Sequence, residues 1–348
     1  MDIYQQQLHY HIYRHEVFEL SARRGLSLRE AFDILFDRVP PNTVSLYIAE
    51  IGLESLPSMK NLANLKILDV SGNKLTRLPQ LPEGLLDLTC QSNRLWSLKN
   101  TPSTVTSIAA QKNEICTLYG VSPKTEYLYL QNNHLERIDS FPPNLKKCHV
   151  SNNRLEHLPP LPATVLELCC HNNDLAELPF PLPPSLHTLS CFNNPRLTCL
   201  PSLPSGLQKL DVENCNISRI PKLPDTLHLL DVRGNPITHM VNLPPVAVFS
   251  TLIVISGTPI GKILSPANIP SVSLPHSYDV MRSNLQILNR FRELYYTLKY
   301  KNQFRQWLWI KVRLPRIEQA HHPDRLQEAL EQEGGEEADL EAVLQSLG

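Results

Sequence analysis

The 348-residue chain has no run of 18 or more apolar residues, so a membrane-spanning helix is not expected. Its first residues, MDIYQQQLHYHIYRHE, lack a charged segment followed by an apolar core, so no secretory leader is expected either. An excess of one charge is missing: 33 basic residues stand against 34 acidic ones, which argues against whole-chain association with nucleic acid or a membrane surface. Glycine is scarce, 12 residues against 30 prolines, and no Gly-rich phosphate loop, nucleophile elbow or zinc-binding helix motif occurs. Cysteine is absent before Cys90 and after Cys215. Secreted repeat proteins usually staple their ends with disulfides. Eight cysteines confined to the middle therefore predict reduced thiols and an intracellular, reducing setting.

What the chain does have is a period. Asn73, Asn93, Asn113, Asn133, Asn153 and Asn173 recur every 20 residues, and Asn194, Cys215 and Asn235 continue the series with one-residue slips. Around each lie apolar residues eight, five and three before and usually two after, as in Leu85, Leu88, Cys90, Asn93 and Leu95. The pattern L-x-x-L-x-L-x-x-N/C-x-L is that of leucine-rich repeats, and the chain resembles them in register over many units. The resemblance implies an α/β repeat solenoid in which each unit gives one short parallel strand. Eleven units are counted, centred on Ile51, the nine positions from Asn73 to Asn235, and Thr258. The asparagines have a structural reason, since a side-chain amide can satisfy backbone groups left unpaired in a buried turn.

Residues 1–40 read as a helical N-terminal cap, with Leu20, Leu28, Ala31, Phe32, Leu35 and Phe36 on one face and Ser27–Glu30 as a capping box. The solenoid occupies 41–264. From Pro79 its units carry L-P-x-L-P, as in Leu158–Pro162, which forbids a convex helix and predicts an extended back. Residues 265–278 read as a linker and 279–348 as a C-terminal helical tail. That tail is dipolar: 282–316 hold nine Lys/Arg and one acid, whereas 318–341 hold nine acids and one Arg.

The 20-residue L-P-x-L-P unit resembles the repeats of bacterial leucine-rich-repeat effectors delivered into host cells, over about residues 75–245. One branch of that family carries a C-terminal ubiquitin ligase with a catalytic cysteine, and here no cysteine follows Cys215, so that activity is not implied. The stretch from Lys299 to Trp309, with Val312–Glu318 and His322–Leu326, resembles a C-terminal segment of giant-DNA-virus repeat proteins. Together the two resemblances imply host cytoplasm or a virion as the location, and the viral source is favoured.

Side chains alternate across a strand, so the outward positions line the concave face. Its middle gathers Tyr127, Tyr129, His149, His171 and Phe192, aromatic groups of the kind that anchor protein interfaces. Asp211 and Asp231 follow in the same row and read as solvated acids. His149, Cys169 and His171 invite a zinc reading, but their spacing is not that of a closed site, and no metal or cofactor is expected. A second surface is offered by Arg305, Trp307, Trp309 and Arg313; the two tryptophans lie two apart and cannot share one helical face. The expected function is non-enzymatic: a scaffold that holds a protein partner on the concave face. Two alternatives are a virion or assembly protein gripping partners through its basic helices, and a secreted bacterial effector acting on host proteins. The acidic run beside the basic helices argues against nucleic acid as the partner.

Overall fold

The computed structural model describes residues 9–243, 252–255, 257–260, 282–294 and 300–301. Eleven three-residue strands, from Ser45–Tyr47 to Leu252–Val254, follow one another as parallel neighbours in a single sheet. They are the eleven units of the sequence period, and the fold is a leucine-rich-repeat solenoid. Each strand is in register with the next; Leu128 faces Cys148, and Cys148 faces Leu168. The physical cause is the repeated frame around each strand, which returns the same position to the same place in every layer while spacings between 20 and 23 residues are taken up outside the strands.

The core is built from two inward positions per unit. The strand centres Leu46, Leu68, Leu88, Ile108, Leu128, Cys148, Leu168, Leu189, Leu210 and Leu230 have no exposed surface, and neither have Ile48, Val70, Cys90, Ala110, Leu130, Val150, Cys170 and Cys191 two residues on. Truncating one of these leucines to alanine would cost about 2–5 kcal/mol, the usual range for a buried aliphatic group. Burial pushes the Cys90 thiol up to about 12, so it behaves as a small apolar filler.

The asparagine ladder runs along the edge where each strand ends. Oδ1 of Asn93 accepts from Leu75 N of the preceding unit, while its Nδ2 donates to Val70 O there and to Cys90 O of its own unit. Asn113, Asn133, Asn153, Asn173, Asn194 and Asn235 repeat this pattern, and Asn73 does so for the first unit. Cys215 cannot accept in this way. Its Sγ donates to Cys191 O at 3.4 Å, and the amide that Asn would have held, Leu197 N, turns back to Asn194 O. The extra residue between Asn194 and Leu197 permits that turn, which explains one of the slips in the period.

A second ladder lies one residue earlier. Asn132, Asn152, Asn172, Asn193 and Asn214 have φ between 52° and 58°, a left-handed conformation that asparagine tolerates better than most residues. Gly72 and Gly234 fill the same position at φ 65° and 66°. Nδ2 of Asn193 donates to Oδ1 of Asn172, so part of this row is linked through its own side chains.

Among the described residues no helix lies between successive strands from Ser45–Tyr47 to Leu252–Val254, as the prolines predict. The extended backs pair in places: Arg219–Ile220 runs parallel to His239–Met240, and Thr117 bridges to Arg137.

The N-terminal expectation needs correction. Residues 1–40 are not simply helical, because His9–His11 form a twelfth strand that pairs in parallel with Ser45–Tyr47. A strand at the end of a sheet presents unpaired backbone groups, and this segment covers them before the helices begin. The helical part is two helices, α1 (Arg14–Arg24) and α2 (Leu28–Phe36). They are separated by Gly25 in a left-handed C-cap, and Ser27 and Glu30 form the capping box of α2. Ala31 and Phe32 are fully buried.

The chain divides into two compact units, Met1–Leu285 and Gln286–Gly348. Residues 282–294 are helical, as their apolar spacing predicts. The linker 265–278 and the alternative surface of Arg305, Trp307, Trp309 and Arg313 lie outside the described residues.

Candidate functional site on the strand face

In-register stacking fixes three outward rows. Tyr127, Lys147, Glu167, Thr188 and Lys209 are successive partners in the first. Tyr129, His149, Cys169, Ser190, Asp211 and Asp231 form the second. Two residues further on stand Gln91, Gln111, Gln131, Ser151, His171, Phe192, Glu213 and Arg233. All the residues singled out on this face from the sequence are thus on it.

The five aromatic positions do not form one patch. Tyr129 and His149 meet edge-on with ring centroids 5.0 Å apart. His171 and Phe192 stack at 4.0 Å with an interplanar angle of 8°. Tyr127 stands beside Lys147 in the first row. Both ring pairs are half-buried.

Polar groups from all three rows converge on His149. Its Nδ1 lies 3.1 Å from Gln131 Nε2 and its Nε2 lies 3.0 Å from Glu167 Oε1. Lys147 Nζ pairs with the other carboxylate oxygen, Oε2, at 3.0 Å. Cys169 Sγ is 3.9 Å from Glu167 Oε1. Burial opposes the charge of Glu167, but Lys147 and then His149 outweigh it and hold the carboxyl below its ordinary value. Burial, then the Glu167 charge, push the Cys169 thiol up to about 12. Burial, reinforced by His149, lowers the pKa of His171. Three donor atoms that can hold a metal, on His149, Glu167 and Cys169, lie within 4.8 Å of one another. His171, read with His149 and Cys169 as a zinc trio from the sequence, is not in this group. Glu167 is, through a diagonal contact between rows.

The expectation that Asp211 and Asp231 are solvated acids is corrected. Asp231 is only 9% exposed, and Arg233 reaches back over it, with Nε 3.0 Å from both carboxylate oxygens and Nη2 2.7 Å from Oδ2. The same guanidinium holds Glu213 Oε2 at 2.8 Å. Burial raises the pKa of Asp211; the Glu213 amide that Oδ1 accepts from lowers it, and the charges of Asp231 and Glu213 raise it again. Two positions in one row a single strand apart gave no sign of this, because the neutralising residue sits in another row.

Two further features escaped the sequence reading. The N-terminal strand adds a ring cluster to the face, with His11 stacked on Tyr47 at 4.3 Å and on Tyr13 at 5.3 Å. Large exposed aromatic side chains also occur off the strands: Phe180 at 72%, Tyr119 at 67% and Trp96 at 57%. Their signal in the sequence was an aromatic residue where the frame asks for none.

The family described as Leucine Rich Repeat matches residues 64–88. No curated protein matches the chain. Among solved structures it is similar to YopM from Yersinia enterocolitica WA-314, at 29% identity and a TM-score of 0.57, over 62% of this chain and 50% of that one. It is also similar to YopM of Yersinia pestis, described as a leucine-rich effector protein, at 30% identity and a TM-score of 0.50, over 59% of this chain and 65% of that one. The chain thus spans between half and two thirds of the length of these two. Sequence frame, sheet topology and these likenesses agree on a leucine-rich-repeat fold, a fold that generally serves as a binding scaffold.

Proposed function

We propose that the chain is a non-enzymatic scaffold that holds a protein partner on its strand face, centred on Tyr127, Tyr129, His149, His171 and Phe192. The observation that carries this reading is the pair of half-buried ring contacts, Tyr129 with His149 and His171 with Phe192, set on a sheet whose register holds them in place. Preorganised rings lose little freedom on binding, which is why such groups anchor interfaces. The polar groups around them, Lys147, Glu167 and Gln131, supply both charges and an amide for orientation. Asp211 and Asp231 form the acidic end of the same face.

The working environment in this proposal is a reducing one, supported by eight free cysteines, five of them buried. Binding is tested by affinity capture from host-cell extract followed by mass spectrometry, with the captured protein then titrated against the purified chain. Tyr129→Ala with His149→Ala should weaken that titration at least about tenfold, as expected for central interface anchors. Equal affinity for both forms would remove the surface from consideration.

A second reading is favoured by the YopM likeness: the partner is a host protein and the chain an effector of the bacterial kind. It predicts capture from host extract and not from extract of the producing cell.

A further inference from the structure

The geometry points to a soft divalent-cation site, for zinc above all, formed on the strand face by His149 Nε2, Glu167 Oε1 and Cys169 Sγ. Nε2 and Oε1 are 3.0 Å apart, Sγ and Oε1 are 3.9 Å apart, and all three atoms lie within 4.8 Å of one another. Tetrahedral zinc with bonds of about 2.0–2.3 Å separates its donors by roughly 3.3–3.6 Å, so the trio brackets the required triangle. Nitrogen, oxygen and sulfur are zinc's usual donors, and three protein ligands leave a fourth position open to water or to a partner's side chain.

An independent observation comes from the glutamine row. Two buried side-chain oxygens here have no hydrogen-bond partner, Gln111 Oε1 and Gln131 Oε1. Gln111 Nε2 donates to Gln91 Oε1. Gln131 Nε2 lies 3.1 Å from His149 Nδ1, so turning the Gln131 amide by half a turn gives its unpartnered Oε1 the His149 Nδ1–H as donor. Which end of an amide is nitrogen is settled by such networks. With the proton on Nδ1, Nε2 presents a lone pair to the Glu167 carboxylate at 3.0 Å. Two acceptors at that distance require a cation between them, either a proton or a metal ion.

The surroundings suit the metal. A ligating histidine commonly donates its other N–H to an amide or carboxylate acceptor, here Gln131 Oε1. Lys147 holds Glu167 by Oε2, leaving Oε1 turned toward His149 and Cys169. On binding, the Cys169 thiol forms the metal–sulfur bond and its proton goes to solvent. His171, close enough to His149 for their charges to interact, stands outside the trio. The other trio, Asp211, Glu213 and Asp231, is already occupied by the Arg233 guanidinium.

The test uses the full chain, stripped with chelator and titrated with Co²⁺ and then Zn²⁺. One equivalent of Co²⁺ should give the intense visible bands of a four-coordinate ion together with a near-ultraviolet thiolate-to-cobalt band. Cys169→Ser should abolish the near-ultraviolet band, while a Cys116→Ser and Cys199→Ser double variant keeps it. His149→Ala should lower Zn²⁺ affinity at least about tenfold, and Gln131→Leu, which removes only the positioning group, should lower it by a smaller factor within the roughly 10–100-fold range of such supporting contacts. Far-ultraviolet circular dichroism shows whether each variant keeps the fold; should Cys169→Ser unfold, loss of the visible bands in Glu167→Gln serves in its place. A pale six-coordinate spectrum, or a thiolate band that survives Cys169→Ser, overturns the proposal. No partner protein enters these measurements, so their outcome is separate from that of the scaffold reading.

Discussion

The asparagine ladder and the strand face are built on the same repeating backbone and behave in opposite ways. On the ladder one side chain makes the same three contacts in layer after layer, two of them tying a unit to the one before it and the third closing its own turn. On the face every layer presents a different side chain, and contacts form only where neighbours happen to complement one another, as with Tyr129 and His149 or Asp231 and Arg233. Identity at one edge makes the scaffold stiff; variety on the other surface leaves it free to carry specificity. A substitution on the ladder should therefore cost stability, and one on the face should cost binding.

The sharpest way to break that contrast is Asn113→Ala. It leaves Leu95 N without its acceptor in a buried turn and takes one of two side-chain donors from Cys90 O and from Ala110 O, which keep Asn93 and Asn133, and should lower unfolding free energy by about 1–3 kcal/mol in urea denaturation. Cys215→Ala sits at the equivalent position but gives up only two weak thiol contacts, so about 1 kcal/mol is expected. Equal losses would mean that the ladder acts by filling space and not by hydrogen bonding.

Tyr129→Ala with His149→Ala is the mirror experiment. Partner affinity should fall at least about tenfold while the urea midpoint shifts little, because neither side chain belongs to the core. A large stability loss would show that the face is part of the scaffold.

Within the face, Arg233→Ala exposes the dependence of the acidic end on one guanidinium. Asp231, Glu213 and Asp211 then face one another without a counter-charge, and stability at neutral pH should drop by about 1–2 kcal/mol, since Arg233 and Glu213 are partly screened by water but Asp231 is nearly buried. The deficit should shrink as pH falls and the carboxylates protonate, which thermal melts at neutral and acid pH can check.

The smallest effect is expected for Asp211→Asn. Burial raises the folded-state pKa of Asp211 above its ordinary value, with Asp231 and Glu213 adding to the rise. A raised acid favours its protonated form, so its contribution to stability is present below the unfolded pKa and is lost as pH rises through the folded one. Asparagine removes that loss and should stabilise the chain slightly at neutral pH, by well under about 1 kcal/mol, with no gain in acid. A gain of equal size at both pH values would point to packing and not to charge.

The sequence by itself determined the solenoid, its eleven repeat strands and the membership of each outward row. A repeated frame forces in-register parallel pairing even where a unit gains one to three residues, so counting along the frame is the same as moving across the sheet. It determined the absence of convex helices among the described repeats as well, because two prolines in five residues leave few backbone choices. Only the tertiary structure decided the rest. His9–His11 became a strand because an uncovered sheet edge needs partners, a demand that local propensity does not contain. Glu167 joined His149, and Arg233 covered Asp231, through side chains that reach diagonally between rows. The frame says which row a residue occupies. How far its side chain leans, and toward which charge, is settled by packing among neighbours that are close in space and some twenty residues apart in the chain.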